Sequence, residues 1–151
     1  MANRVERAAP ADVPRLVDCM QAFYREAAYP LDRRWASTSF TALVGNPALG
    51  AAWLLWRDDN VAGYVVLTVR FSMEYGGPDA FIDDLFVRPE HRRHGVGTAA
   101  LTELIAECRR RGVLALHVEV GHDNRAANAL YQKFGLGLRT DQRQMRTVEF
   151  A

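Results

Sequence analysis

A chain of 151 residues is the length of one ordinary domain, and its 49% hydrophobic and 25% charged residues fit a globular protein that buries its own core without metal or disulfide staples. With 19 basic residues against 18 acidic ones, the net charge of +1 gives no general drive toward nucleic acid or an anionic membrane. Cys19 and Cys108 stand too far apart for a metal or redox motif, Met1–Glu6 lacks a signal-peptide core, and no apolar run approaches the ~20 residues that span a bilayer. The expectation is one cytoplasmic domain over residues 1–151, with both thiols reduced and half-buried.

Arg4 to Ala8 reads as a first strand, and Pro10-Ala11-Asp12 as a helix start with Asp12 at the N-cap. Leu16, Val17, Met20, Phe23 and Tyr24 then recur at helical spacing until Ala28-Tyr29-Pro30. A second helix covers Trp35 to Val44 and stops at Gly45-Asn46-Pro47. Ala51–Arg57 and Val61–Phe71 form a hairpin about Asp58-Asp59-Asn60, and Ala80–Val87 follows as a strand closed by Arg88-Pro89. Val96 to Arg111 is a long helix ended by Gly112, Val113 to Val120 a strand, Asn124 to Phe134 a short helix, and Leu136 to Phe150 one or two closing strands. The order predicts an α/β domain with a mixed, mostly antiparallel sheet of six to seven strands and about four helices.

The richest stretch runs from Asp84 to Ala100: a strand, a basic loop and a glycine-rich turn that opens a helix. A helix start carries unpaired N–H groups and partial positive charge, and Gly95 and Gly97 put no side chain between those donors and a phosphate. Arg92 and Arg93 add formal charge beside them. A tight turn alone would explain the glycines, and solvation alone the arginines; the two together before a helix point to a pyrophosphate. Gly95-x-Gly97-x-x-Ala100, with Glu119 downstream, also fits a dinucleotide fingerprint. Against that stand the long Arg88–His94 loop, the single βαβ unit and the preceding hairpins.

These residues resemble the GNAT superfamily of acyl-CoA N-acyltransferases. Its acyl-CoA motif, Arg/Gln-x-x-Gly-x-Gly/Ala after a strand ending apolar-Val-x-Pro, is matched by Phe86-Val87-Arg88-Pro89 and Arg92-Arg93-His94-Gly95-Val96-Gly97. A second segment, Asn-x-x-Ala-x-x-Leu-Tyr-x-Lys-x-Gly, is matched by Asn124, Ala127, Leu130, Tyr131, Lys133 and Gly135. Arg93 stands where a glycine is common, and Leu136 where a phenylalanine is usual. The resemblance implies a single-domain GNAT fold and acetyl-CoA as co-substrate. It implies that the Leu85, Phe86 and Val87 backbone pairs with the pantetheine arm and that the amides of Arg93, His94, Gly95, Val96, Gly97 and Thr98 hold the pyrophosphate, with Arg92 and Ala127 beside the cofactor. Asn124 would bond the arm, and Tyr131 would face the sulfur.

Transfer requires a neutral amine to attack the thioester while a thiolate leaves. A thiol ionises near ~8.5 and a phenol near ~10, so Tyr131 stays protonated at neutral pH and can serve the sulfur as an acid. Asp83 and Asp84 sit inside an apolar strand, where a carboxylate is costly without a partner or a function. Adjacent strand residues face opposite ways, so one of them lines the substrate cleft. The strand also resembles that of diamine and polyamine acetyltransferases, whose first acid, here Asp83, receives the amine's proton. Tyr24, Glu26 and Glu74, with Asp32 and Asp83, are the candidate contacts for a cationic acceptor. The four histidines show no metal spacing, so no bound metal is expected. The sequence-based function is acetyl transfer by direct attack in a ternary complex to a primary amine of a small molecule: a polyamine, an amino acid or an aminoglycoside-like compound. A peptide acceptor and a non-catalytic acyl-CoA sensor are the alternatives, and a homodimer is open because family members often dimerise.

Overall fold

A computed structural model describes residues 2–150 as one five-stranded sheet with helices on both faces. In chain order the elements are β1 (Asn3–Arg7), α1 (Val13–Glu26), α2 (Arg33–Val44), β2 (Gly50–Arg57), β3 (Asn60–Ser72), β4 (Gly77–Val87), α3 (Val96–Arg110), β5 (Leu116–His117) and α4 (Arg125–Lys133). The strands lie in sequence order across the sheet; β1 to β4 pair antiparallel and β5 joins β4 in parallel. Alternation along β3 divides the core in two. Tyr64 and Val66 pack with Leu16, Val17, Met20, Phe40 and Phe86 under α1 and α2. Val65 and Leu67 pack with Ile82, Leu101, Leu104 and Tyr131 under α3 and α4.

Three expectations need correction. Asp12 stands at the N-cap of α1 as expected, but its side chain makes no capping bond there: its carboxylate accepts from the Ala9 amide at 2.9 Å, closing a short 3₁₀ turn ahead of the helix. Of Val113–Val120 only Leu116 and His117 join the ladder, because β4 bulges beyond Ile82 and its partner departs. The sheet therefore has five strands, since residues 136–150 form none. This tail is held by charge instead: Arg139 and Arg143 both reach Glu74 at 3.2 Å, and Leu138, Met145 and Val148 stay exposed. A two-residue β5 offers too short an edge for a further ladder.

Helix α4 crosses the start of α3 closely. A Cβ placed on Gly97 would stand 3.0 Å from Leu130 Cδ2, so a side chain here would press on α4 and Leu130 would have to shift. Gly97→Val is expected to lower unfolding free energy by about 1–3 kcal/mol in urea denaturation, overpacking outweighing a helix-propensity gain below ~1 kcal/mol. Leu130→Ala in the same chain is expected to recover part of that loss.

Candidate active site

Pairing between β4 and β5 ends after Ala80–Leu116 and Phe81–His117. Beyond that rung the β5-side edge of β4, from Ile82 to Val87, has no neighbouring strand among the described residues. It includes Leu85, Phe86 and Val87. At its end lies a loop with two left-handed residues, Arg93 (φ 64°) and Gly95 (φ 80°). Such turns bring successive amide groups to one concavity. Gly95 is the N-cap of α3 and supplies no side-chain cap, so the amides of Val96, Gly97 and Thr98 are left without a capping side chain at the helix's positive end. An open strand edge leading to a bare helix start fits a ligand with an amide-bearing arm and a diphosphate. Arg93 and His94 are exposed beside this concavity. Arg92 instead ties the loop to α1, with its Nε donating to the Val87 carbonyl at 2.8 Å and its Nη2 to both Glu26 oxygens at 2.7 and 2.8 Å.

The paired acids sit at the bulge. Val66 opposes Asp84 and Leu67 opposes Ile82, so Asp83 is the extra residue. Asp83 is exposed, whereas Asp84 turns under α1 and accepts from the Tyr64 hydroxyl at 3.0 Å. Burial pushes the Asp84 carboxyl up to about 6, against the Tyr64 hydrogen bond, which lowers it; the neighbouring Asp83 charge adds to the rise. Tyr24 completes the group; burial and the two carboxylates push its phenol upward. Tyr64 was not among the sequence candidates, since an aromatic in an apolar strand reads only as core. The other expected acids are already engaged: Glu26 by Arg92, Glu74 by Arg139 and Arg143, and Asp32 by the Arg34 and Trp35 amides of α2.

On the opposite face, the Asn124 side chain accepts from the Ala127 amide at 3.2 Å and caps α4. This leaves its NH₂ as the group able to meet a ligand. Tyr131 is buried among the α3–α4 core, and burial raises its phenol to about 12. Its ring lines a cavity of about 1190 Å³ shared with β5, and its hydroxyl makes no hydrogen bond among the described residues. Tyr131 and Asp84 are thus on opposite faces of the sheet, on either side of the β4–β5 opening. Among the described residues no three His, Cys, Asp or Glu side chains are placed to hold a metal ion, and no helix is long and apolar enough to cross a membrane.

A raised carboxyl has a measurable cost. The folded protein holds the Asp84 proton more tightly than the unfolded chain does. The stability this provides is complete below the unfolded value near ~4 and is lost as pH rises through about 6. Asp84→Asn keeps an oxygen for Tyr64 and carries no charge. It is expected to stabilise the protein at pH 8 by about 1–3 kcal/mol, with the gain shrinking toward zero near pH 4, as urea denaturation at the two pH values would measure. An equal gain at both would show that charge burial is not the cause.

The profile of the acetyltransferase (GNAT) family matches residues 14–136. The chain is 30% identical over 122 residues to the [ribosomal protein bS18]-alanine N-acetyltransferase of Escherichia coli (strain K12), an alignment covering 78% of this chain and 77% of that one. Among solved structures, an integron cassette protein from the mobile metagenome of Cole Harbour Salt Marsh superposes with a TM-score of 0.86 at 40% identity, over 97% of this chain and 90% of that one. A crystal structure of a predicted acetyltransferase with acetyl-CoA from Clostridium acetobutylicum shares the fold, with a TM-score of 0.78 at 14% identity over 96% of each chain. The open edge of β4, the bare start of α3 and this agreement together make the chain a member of the GNAT acetyltransferase family, an acetyl-CoA-dependent acyltransferase.

Proposed function

We propose that the chain transfers an acetyl group to the free N-terminal amine of a peptide or protein, by direct attack within a ternary complex. The observation that carries this reading is the raised carboxyl of Asp84 on the α1–α2 face, hydrogen-bonded to Tyr64, with Glu26, Glu74 and Asp32 already neutralised or engaged. A polyamine needs several free carboxylates along its length, and beyond Asp83 and Asp84 the expected ones are occupied. A base near 6 also matches an α-ammonium, which ionises near ~8, better than an alkyl ammonium near ~10.4: the gaps are roughly two and four pH units, a difference of about 3 kcal/mol in the proton transfer. The bS18-alanine specificity in the bacterial relative's name supports the same class of acceptor. Of the acids expected from sequence to meet a small-molecule amine, Glu26, Glu74 and Asp32 are engaged elsewhere and Asp83 is exposed.

Acetyl-CoA supplies the activated acyl carbon and a thiolate leaving group. In this reading the amides of Arg93 to Thr98 hold the diphosphate and the Leu85–Val87 edge aligns the arm. Asp84 takes a proton from the acceptor ammonium on the α1–α2 face, and the freed nitrogen attacks the carbonyl carbon. The C–S bond breaks toward the α4 face, where the Tyr131 hydroxyl donates to the departing sulfur. A phenol near 12 is a weaker acid than a thiol near ~8.5, so Tyr131 acts chiefly as a hydrogen-bond donor. The second proton leaving the nitrogen balances the thiolate as thiol.

Free-thiol release with an alanine-terminated peptide, spermidine, an aminoglycoside and free alanine tests the acceptor. The peptide is expected to show the highest kcat/KM, by about a hundredfold over spermidine; a preference for spermidine would overturn the reading. Tyr131→Phe is expected to lower kcat by about 10²-fold while the KM for acetyl-CoA moves less than about threefold. Equal effects on both would assign Tyr131 to binding instead.

A further inference from the structure

One cluster of charged groups stands apart from the acyl-transfer residues. Asp79 in β4 is wholly buried, and a carboxylate inside a sheet persists only if it is paired. Arg70 grips it with both prongs of one edge, Nε to Oδ1 at 2.8 Å and Nη2 to Oδ2 at 3.0 Å. His117 meets the same Oδ2 through Nε2 at 2.9 Å. Arg70 and His117 together hold the Asp79 carboxyl below the usual carboxylate range, so it accepts from both. In the neutral ring the proton therefore sits on Nε2, and Nδ1 keeps a lone pair. That nitrogen makes no hydrogen bond among the described residues. The outer edge of the Arg70 guanidinium is likewise unused, with 59% of the side chain exposed. Aromatic walls flank the pair: the His117 ring lies 4.9 Å from Phe81 and 6.0 Å from Tyr75, and the Arg70 guanidinium sits 5.1 Å over Phe81.

The cluster lies where an acceptor would extend. Thr68 opposes Phe81 and Arg70 opposes Asp79, on the sheet face that also carries Val66 and Asp84. Phe81 and His117 form the last rung before the strands part. From Asp84 to Phe81 is two to three residues of strand, roughly 7–10 Å, the reach of about two extended peptide residues.

We infer that Arg70 and His117, clamped on buried Asp79, form a subsite for the first peptide unit of the acceptor. The unused edge of Arg70 donates to its carbonyl oxygen, and His117 Nδ1 accepts its N–H. This rests on the peptide-acceptor reading above and extends it: the enzyme recognises an amide bond following the amine. A free amino acid offers a carboxylate to Arg70 and nothing to His117, and a polyamine offers neither group.

Alanine N-methylamide and alanine N,N-dimethylamide differ in that one N–H. Wild type is expected to favour the first in kcat/KM by about tenfold, the size of one lost hydrogen bond, and His117→Leu to bring the ratio to about one. A ratio taken within one variant is untouched by any general loss of folded protein. Arg70→Lys preserves a cation for Asp79 but not the second edge. It is expected to raise KM for both amides about tenfold with kcat and the ratio little changed. A wild-type ratio near one, a ratio that survives His117→Leu, or free alanine as a better acceptor than either amide would each overturn the subsite. If alanine-terminated peptides are acetylated and the ratio is one, the subsite alone falls. If spermidine is acetylated and neither amides nor peptides are, the peptide-acceptor reading falls with it.

Discussion

Two rungs of backbone pairing hold β5 to β4, and the arrangement of this protein depends on their ending there. Had the parallel pair continued, the amide and carbonyl groups from Ile82 to Val87 would be consumed within the sheet. Instead the bulge at Asp83 turns β4, β5 departs after His117, and a strand edge is left open in the middle of a folded domain. An open edge is ordinarily a liability for aggregation. Here it ends at the basic loop that leads to the uncapped start of α3, so the unpaired edge and the helix's free amides stand at the two ends of one loop. In our proposal the thioester arm, long, polar along its length and anionic at one end, lies along that edge and reaches that helix start.

The same divergence makes the sheet a partition. Core alternation along β3 and β4 sends Tyr64 and Asp84 to the α1–α2 side, while Tyr131 stands with α3 and α4. In our proposal, a reaction that must take a proton from an entering nitrogen and support a departing sulfur draws on these two groups from the two sides of the gap. Their environments push in useful directions: a carboxyl raised to about 6 is ionised yet basic near neutrality, and a phenol raised to about 12 stays protonated. Both shifts come chiefly from burial, so in our proposal the packing that stabilises the domain would also set the chemistry. The peptide acceptor remains our proposal, supported by how the carboxylates are distributed.

Much of this was legible from residue order. Periodicity located all four helices, and the alternating apolar runs located β2, β3 and β4, because those elements bury one face and their sequences must say so. The glycine–arginine turn and the Asn124–Gly135 segment carried the family because backbone approach to a phosphate tolerates few alternatives. What was not legible depended on contacts between distant residues. Arg92 looks like a phosphate ligand in sequence, but its partners Glu26 and the Val87 carbonyl come from other elements. Arg70, Asp79 and His117 lie on three strands, and their meeting at one carboxylate follows from register. Tyr64 carried no polar signal at all, though its hydroxyl is what the half-buried Asp84 leans on. The closing strands expected after Leu136 failed for a similar reason, since alternating apolar residues make a strand only where an edge is available to pair with them.

The central claim is that coenzyme A lies along the β4 edge with its diphosphate on the start of α3. The most direct measurement is an amide-resolved NMR titration of the protein with coenzyme A. The account predicts that the largest shifts fall on the backbone amides of Arg93 to Thr98 and Leu85 to Val87, saturating together with one affinity. Saturable binding that perturbs other amides and leaves those two segments unmoved would contradict it.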